Sequence, residues 1–131
     1  MSNLFLDDIR DPHNVKAALH RGVWEKFPEL LAWDIVRSYD EFVAYIQKNG
    51  LPIRIAFDHD LSYEDQNKTD YSTFKEKTGY DCAKWLTEYC MDHDLPLPDF
   101  YIHSFNPVGR MNISNHLLRF EEIRAKNKKT P

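Results

Sequence analysis

Ile53-Arg54-Ile55-Ala56-Phe57-Asp58-His59-Asp60 is the stretch whose reading decides the fold. Five mostly apolar residues suit a short buried strand, and three ionisable residues follow with no spacer. The chain therefore passes from interior to polar surface in one step. Asp58 and Asp60 are two apart, so on extended backbone both carboxylates point to the same side.

The same pattern recurs on either side. Upstream, Asn3-Leu4-Phe5-Leu6 is a short apolar run ended by Asp7 and Asp8, and Trp33-Asp34-Ile35-Val36 reads as a second strand. Ser38-Tyr39-Asp40-Glu41 opens a helix, with Ser38 as cap and Glu41 closing a capping box. Phe42, Val43 and Ile46 supply its buried face, and Gly50 with Pro52 marks its stop. Residues 13–32 read as an irregular, partly helical connection.

Downstream, residues 62–77 are polar with no hydrophobic period, which predicts a loop or lid. Thr78 and Asp81 bracket another helix start, with Cys82, Trp85, Leu86, Tyr89 and Cys90 as its inward stripe. Asp99-Phe100-Tyr101-Ile102 is a fourth strand, ending at His103. Asn106-Pro107 opens the last helix, with Ile113, Leu117, Phe120 and Ile123 as its core face and a basic tail over 124–131. Strands alternating with helices indicate βαβ units, hence a mainly parallel sheet with helices on both faces and a site at the strand C-termini.

The 131 residues fit one domain, and 42% apolar with 29% charged residues is ordinary for a soluble globular chain. No apolar run reaches the length of a membrane span, and no signal-like segment precedes Asp7, so a cytoplasmic protein is expected. Cys82 and Cys90 lie about 12 Å apart along one helix, too far for a disulfide. The net charge of −4 argues against extended nucleic-acid binding. Oligomeric state is left open by the sequence.

Each polar cluster has a chemical and a plain structural reading. Asp7 and Asp8 suit a turn or cap, but if they meet Asp58 and Asp60 the shared negative charge calls for a hard cation such as Mg²⁺ or Mn²⁺. His59 and His103, at the ends of neighbouring strands, are candidates for proton transfer or for hydrogen-bonded core positions. Ser104, Asn106, Arg110 and Asn112 place hydroxyl, amide and guanidinium donors at a helix N-terminus, where a phosphate is favoured; capping alone would also explain Ser104 and Asn106. Arg10 offers a second phosphate clamp or an ion pair with Asp8 or Asp11. No Gly-rich phosphate loop, GxSxG nucleophile, CxxC pair or zinc-type histidine spacing is present.

Leu4-Phe5-Leu6-Asp7-Asp8-Ile9-Arg10-Asp11-Pro12, Phe57-Asp58-His59-Asp60-Leu61, Thr78-Gly79-Tyr80-Asp81 and the run from His103 to Ile113 resemble the cyclic-phosphate-processing receiver-like domains, a divergent branch of the response-regulator receiver fold. The resemblance implies a flavodoxin- or receiver-like three-layer sandwich, with about four strands in the order 2-1-3-4 and residues 1–131 as a single receiver-like domain. It also implies Mg²⁺ or Mn²⁺ held by Asp7, Asp8 and Asp58, and a small nucleotide-like or RNA-end phosphate as partner. A signalling receiver carries a fifth strand ending in Lys-Pro, and nothing after residue 113 looks like it, which argues against phospho-signal reception.

Two functions follow as expectations. One is a metal-dependent phosphoesterase acting on a cyclic or terminal phosphate of a nucleotide or RNA-processing product. His103, His59 and Asp60 would be its proton-transfer candidates, and Asp58 either a metal ligand or an attacking carboxylate. The other is a non-catalytic phosphate- or nucleotide-binding module. An RNA-binding accessory using the basic tail is a third expectation.

Overall fold

The computed structural model describes residues 2–8, 33–59, 61, 77–103 and 106–129. The helical segment expected within 13–32, the 62–76 part of the expected lid, and Arg10, Asp60 and Ser104 lie outside the described residues.

In chain order the described elements are β1 (Asn3–Leu6), β2 (Asp34–Val36), α1 (Tyr39–Asn49), β3 (Arg54–Phe57), α2 (Gly79–His93), β4 (Asp99–Ile102) and α3 (Pro107–Lys129). The strands form one four-stranded sheet in the order β2-β1-β3-β4. Every pairing is parallel. This is the α/β receiver-like architecture and the strand order that the sequence implied.

The central strands are buried on both faces, as parallel strands between crossovers must be. Leu4, Leu6, Ile55 and Phe57 alternate with Phe5 and Ala56, and all six are fully buried. The first four share one core with Phe42 and Ile46 of α1, Cys82, Ala83, Leu86 and Cys90 of α2, and Ile113 and Leu117 of α3. Phe5 and Ala56 form a separate cluster with Trp33 and Tyr101 on the other face. The crossovers through α1 and α2 both move the same way across the sheet, so one hand of connection lays both helices on the same face.

Local signals bound the helices. Ser38 Oγ accepts from Glu41 N at 3.1 Å, while Glu41 Oε1 reaches back to Arg37 N at 3.1 Å, so the box predicted at Ser38 closes one residue earlier. Gly50 ends α1 at φ 80°, in the left-handed region that a side chain disfavours. Thr78 and Asp81 form a reciprocal capping box on α2. Burial raises the Asp81 pKa, but hydrogen bonds from Thr78 and the charge of Lys84 outweigh it and leave Asp81 below the usual carboxylate range.

Five side chains depart from the periodic reading. Trp85, Tyr89, Val43 and Phe120 are only partly buried against the core. Ile123, expected inside, is 48% exposed. The cause is length: at 1.5 Å per residue the 23-residue α3 outruns the 15-residue α2 beside it, so among the described residues its later turns extend past the end of α2. Arg124 spans the step by donating to Asp94 Oδ1 at 3.0 Å. Cys82 and Cys90 are buried and form no disulfide, and burial pushes the Cys90 thiol up to about 11 against the opposing charge of Arg124. Among the described residues no helix is long and apolar enough to cross a membrane.

Candidate metal and phosphate site

The sheet ladder runs one residue past β1, β3 and β4. Asp7 N donates to Val36 O, Asp58 N to Leu6 O and His103 N to Phe57 O, at 2.9–3.2 Å. The residue after each of the four strands is therefore held almost abreast of its neighbours, and in sheet order these residues are Arg37, Asp7, Asp58 and His103. All four are ionisable. A turn residue in solvent would need no such ladder, and the added hydrogen bonds give the row a defined geometry.

Asp7, Asp8 and Asp58 converge as the sequence implied: one carboxylate oxygen from each lies within 4.8 Å of the others. Asp7 is fully buried and Asp58 is 4% exposed, with Asp8 between interior and surface. Three carboxylates this close repel one another in a setting where solvent screens them poorly. Oxygen-only donors of this number and charge fit a hard divalent cation of the Mg²⁺ or Mn²⁺ kind, so the three could hold one.

His103 is brought to this cluster, but in a different posture from that of a substrate-facing acid or base. Its Nε2 is 3.1 Å from Asp7 Oδ2, and both side chains have no solvent exposure. Its ring lies flat on Phe5, with centroids 4.6 Å apart and planes 6° from parallel. Packing on one side and a carboxylate at the ring edge set the imidazole's orientation, which is how a residue behind a metal ligand is normally held.

Glycine 79 explains how α2 can start so close to the row. A Cβ at Gly79 would overlap the carbonyl oxygen of Asp58, while its N–H donates to His59 O at 2.6 Å. Gly109, in the first turn of α3, plays the matching part for His59: a Cβ there would overlap the imidazole ring. His59 N in turn donates to Asp58 Oδ1 at 2.9 Å. The partly buried His59 therefore joins the β3 end to the start of α3.

Of the expected phosphate-binding donors, Asn106 spends its side-chain oxygen on the helix cap, accepting from Gly109 N at 3.0 Å. Arg110 is half-buried one turn into α3, and Asn112 is exposed. Arg37 was not anticipated from sequence. Its Nη1 donates to the Asp7 carbonyl oxygen at 3.1 Å. The signal was available, since Arg37 follows an apolar strand directly, as Asp7, Asp58 and His103 do.

The family model for the cyclic-phosphate processing receiver domain matches residues 2–119. The chain belongs to this family. No curated protein and no solved structure matches it. The matched span of this receiver domain includes all four residues of the strand-end row and all three clustered carboxylates. Membership ties the domain to cyclic-phosphate processing, and the buried acidic residues at its sheet edge agree with a receiver-type metal position.

Proposed function

We propose that this receiver domain is a metal-dependent phosphoesterase that acts on a cyclic or terminal phosphate of a nucleotide or RNA-processing product. The observation that carries the reading is the convergence of Asp7, Asp8 and Asp58 within 4.8 Å at the carboxyl edge of the sheet. The three carboxylates would hold Mg²⁺ or Mn²⁺, which when bound supplies charge neutralisation at phosphoryl oxygens and a lowered pKa for water.

The remaining residues divide the other tasks. His103 acts through Asp7, holding its Oδ2 and so fixing where Oδ1 points. His59, nearer the surface and steadied against Gly109, takes the proton of the attacking water. It returns that proton to the ribose oxygen released when the phosphorus–oxygen bond breaks. Arg110, Asn112 and the amides at the start of α3 bind non-bridging oxygens, with Ser104 and Arg10 as further donors. Asp60 stands as an additional ligand or base.

The test is a product screen over cyclic nucleotides, 2′,3′-cyclic phosphates and ADP-ribose cyclic phosphate, with Mg²⁺ or Mn²⁺ and with chelator. Turnover with metal and none with chelator is expected. In the active assay His59→Ala should lower kcat by about a hundredfold while sparing Mn²⁺ affinity, and His103→Ala should weaken Mn²⁺ binding itself. One observation favours a second reading: Asp7, Asp58 and His103 are almost wholly buried, which suits a module that binds phosphate without turnover. Silence across the panel by folded, Mn²⁺-loaded protein would select it.

A further inference from the structure

Charge balance at the strand-end row calls for more positive charge than the divalent cation brings. Three carboxylates and a divalent cation sum to −1, and a phosphodiester brings another −1 to the same place. Anion binding there needs a fixed positive charge. The row itself contains a permanent cation, Arg37, one strand over from Asp7 and paired to the same level of the sheet, because Leu6 pairs with Val36.

Arg37 is held from two sides. Its backbone N donates to Glu41 Oε1, and its Nη1 donates to the Asp7 carbonyl oxygen. The guanidinium is thus tied to the backbone of a residue of the acidic cluster without neutralising that residue's carboxylate through this bond. Lys77, the nearby alternative, lies with its ammonium 4.4 Å over the ring of Tyr39, two residues along from Arg37. A guanidinium carries five donors in a planar fork, so the bond to Asp7 is compatible with a second engagement of a phosphate edge.

We propose that Arg37 is an anion-binding cation of this site, recognising a phosphate oxygen pair beside the Asp7-Asp8-Asp58 cluster from the side opposite His103 in the strand-end row and adding to the donors at the start of α3. The assignment rests on the cation-and-phosphate reading above and adds to it a cation within the strand-end row itself. A simple structural clip would leave a different signature. Loss of a clip loosens Asp7 and weakens cation and anion binding together. Loss of a neighbouring positive charge weakens the anion but leaves the divalent cation bound as well or better.

The experiment titrates wild type, Arg37→Gln and Arg37→Lys first with Mn²⁺, followed by the loss of the free-ion electron paramagnetic resonance signal. Inorganic phosphate is then added to the Mn²⁺-loaded proteins, with heat of binding as readout. Arg37→Gln should bind phosphate about tenfold more weakly, the scale of one unit charge a few ångströms away in a partly solvated site, with Mn²⁺ affinity unchanged or raised. Arg37→Lys, which keeps the charge, should stay within about threefold of wild type for phosphate.

Unchanged phosphate affinity in Arg37→Gln, or parallel loss of Mn²⁺ and phosphate, overturns the proposal. Should Arg37→Gln fail to fold by circular dichroism, Arg37→Lys decides it, and a loss beyond about tenfold counts against it. If wild type takes up no Mn²⁺, the cation reading of the previous subsection falls. Arg37 is then judged by phosphate titration of metal-free protein, on the same tenfold criterion.

Discussion

The interiors of β1 and β3 and the residues that follow β1, β3 and β4 are almost equally shielded from solvent, and they bury opposite chemistry. Leu4, Leu6, Ile55 and Phe57 face α1, α2 and α3 and have no exposure; one residue further along, Asp7, Asp58 and His103 are almost as covered. In the first region burial removes apolar surface from water and stabilises the fold, by about 1.5 to 3 kcal/mol for each large side chain. In the second it strips water from carboxylates, which costs stability unless partners compensate. Burial alone therefore says nothing about which region holds the protein together. Charge and partner decide that.

Substitutions can break this contrast. The largest stability effect is expected inside the core: Leu117→Ala should cost about 3 kcal/mol, read by denaturant unfolding, because a fully buried leucine leaves a cavity. Mn²⁺ affinity of the folded fraction should not move. A large parallel change in affinity would show that core and edge are one energetic unit.

Asp58→Asn should act in the opposite sense. Removing one of three crowded charges is expected to raise metal-free stability by about 1 kcal/mol, while Mn²⁺ affinity falls steeply. A destabilised metal-free variant would mean that the carboxylates are already compensated within the protein and that the contrast is overstated.

The smallest effect concerns His116, on the helix layer. Burial, aided by the charge of Lys84, holds its pKa below 6.5, and its Nε2 lies 2.9 Å from Thr87 Oγ1. With the folded pKa depressed, the unfolded chain binds more protons as pH drops. The contribution is intact above about pH 6.5 and declines as pH falls toward the folded value. Melting temperature should decrease between about pH 7.5 and about pH 5.5, with a shallower slope in His116→Gln. An equal slope in both proteins would place the acid sensitivity elsewhere, at the carboxylate edge first.

Much of the local structure was legible in single segments. Asn3–Leu6 and Asp99–Ile102 appear with the boundaries that their apolar runs suggested, and Thr78 with Asp81 forms the box that the spacing predicted. These are short-range effects, in which a few adjacent residues satisfy one another's hydrogen bonds. Where a side chain's fate depended on a distant element, periodicity was insufficient. Ile123 keeps the right helical phase yet is half-exposed because α2 ends too soon to cover it. Glu41 has the right spacing for Ser38 but closes on Arg37 N instead.

The candidate site shows the same division. That acidic and imidazole groups follow apolar strands is written in the sequence, because the switch from buried run to polar residue occurs within one position at Leu6-Asp7, Phe57-Asp58 and Ile102-His103. Family resemblance added the metal triad and the strand order. The roles of His103 and Arg37 came only from the assembled sheet. His103 and Asp7 are 96 residues apart, and Arg37 is 30 residues from Asp7. No local propensity records which ring nitrogen meets which carboxylate oxygen, or that a guanidinium will settle on a backbone carbonyl one strand away. Those contacts depend on strand register and on the direction of each side chain at the end of a twisted ladder, and both are set by the packing of the whole sheet.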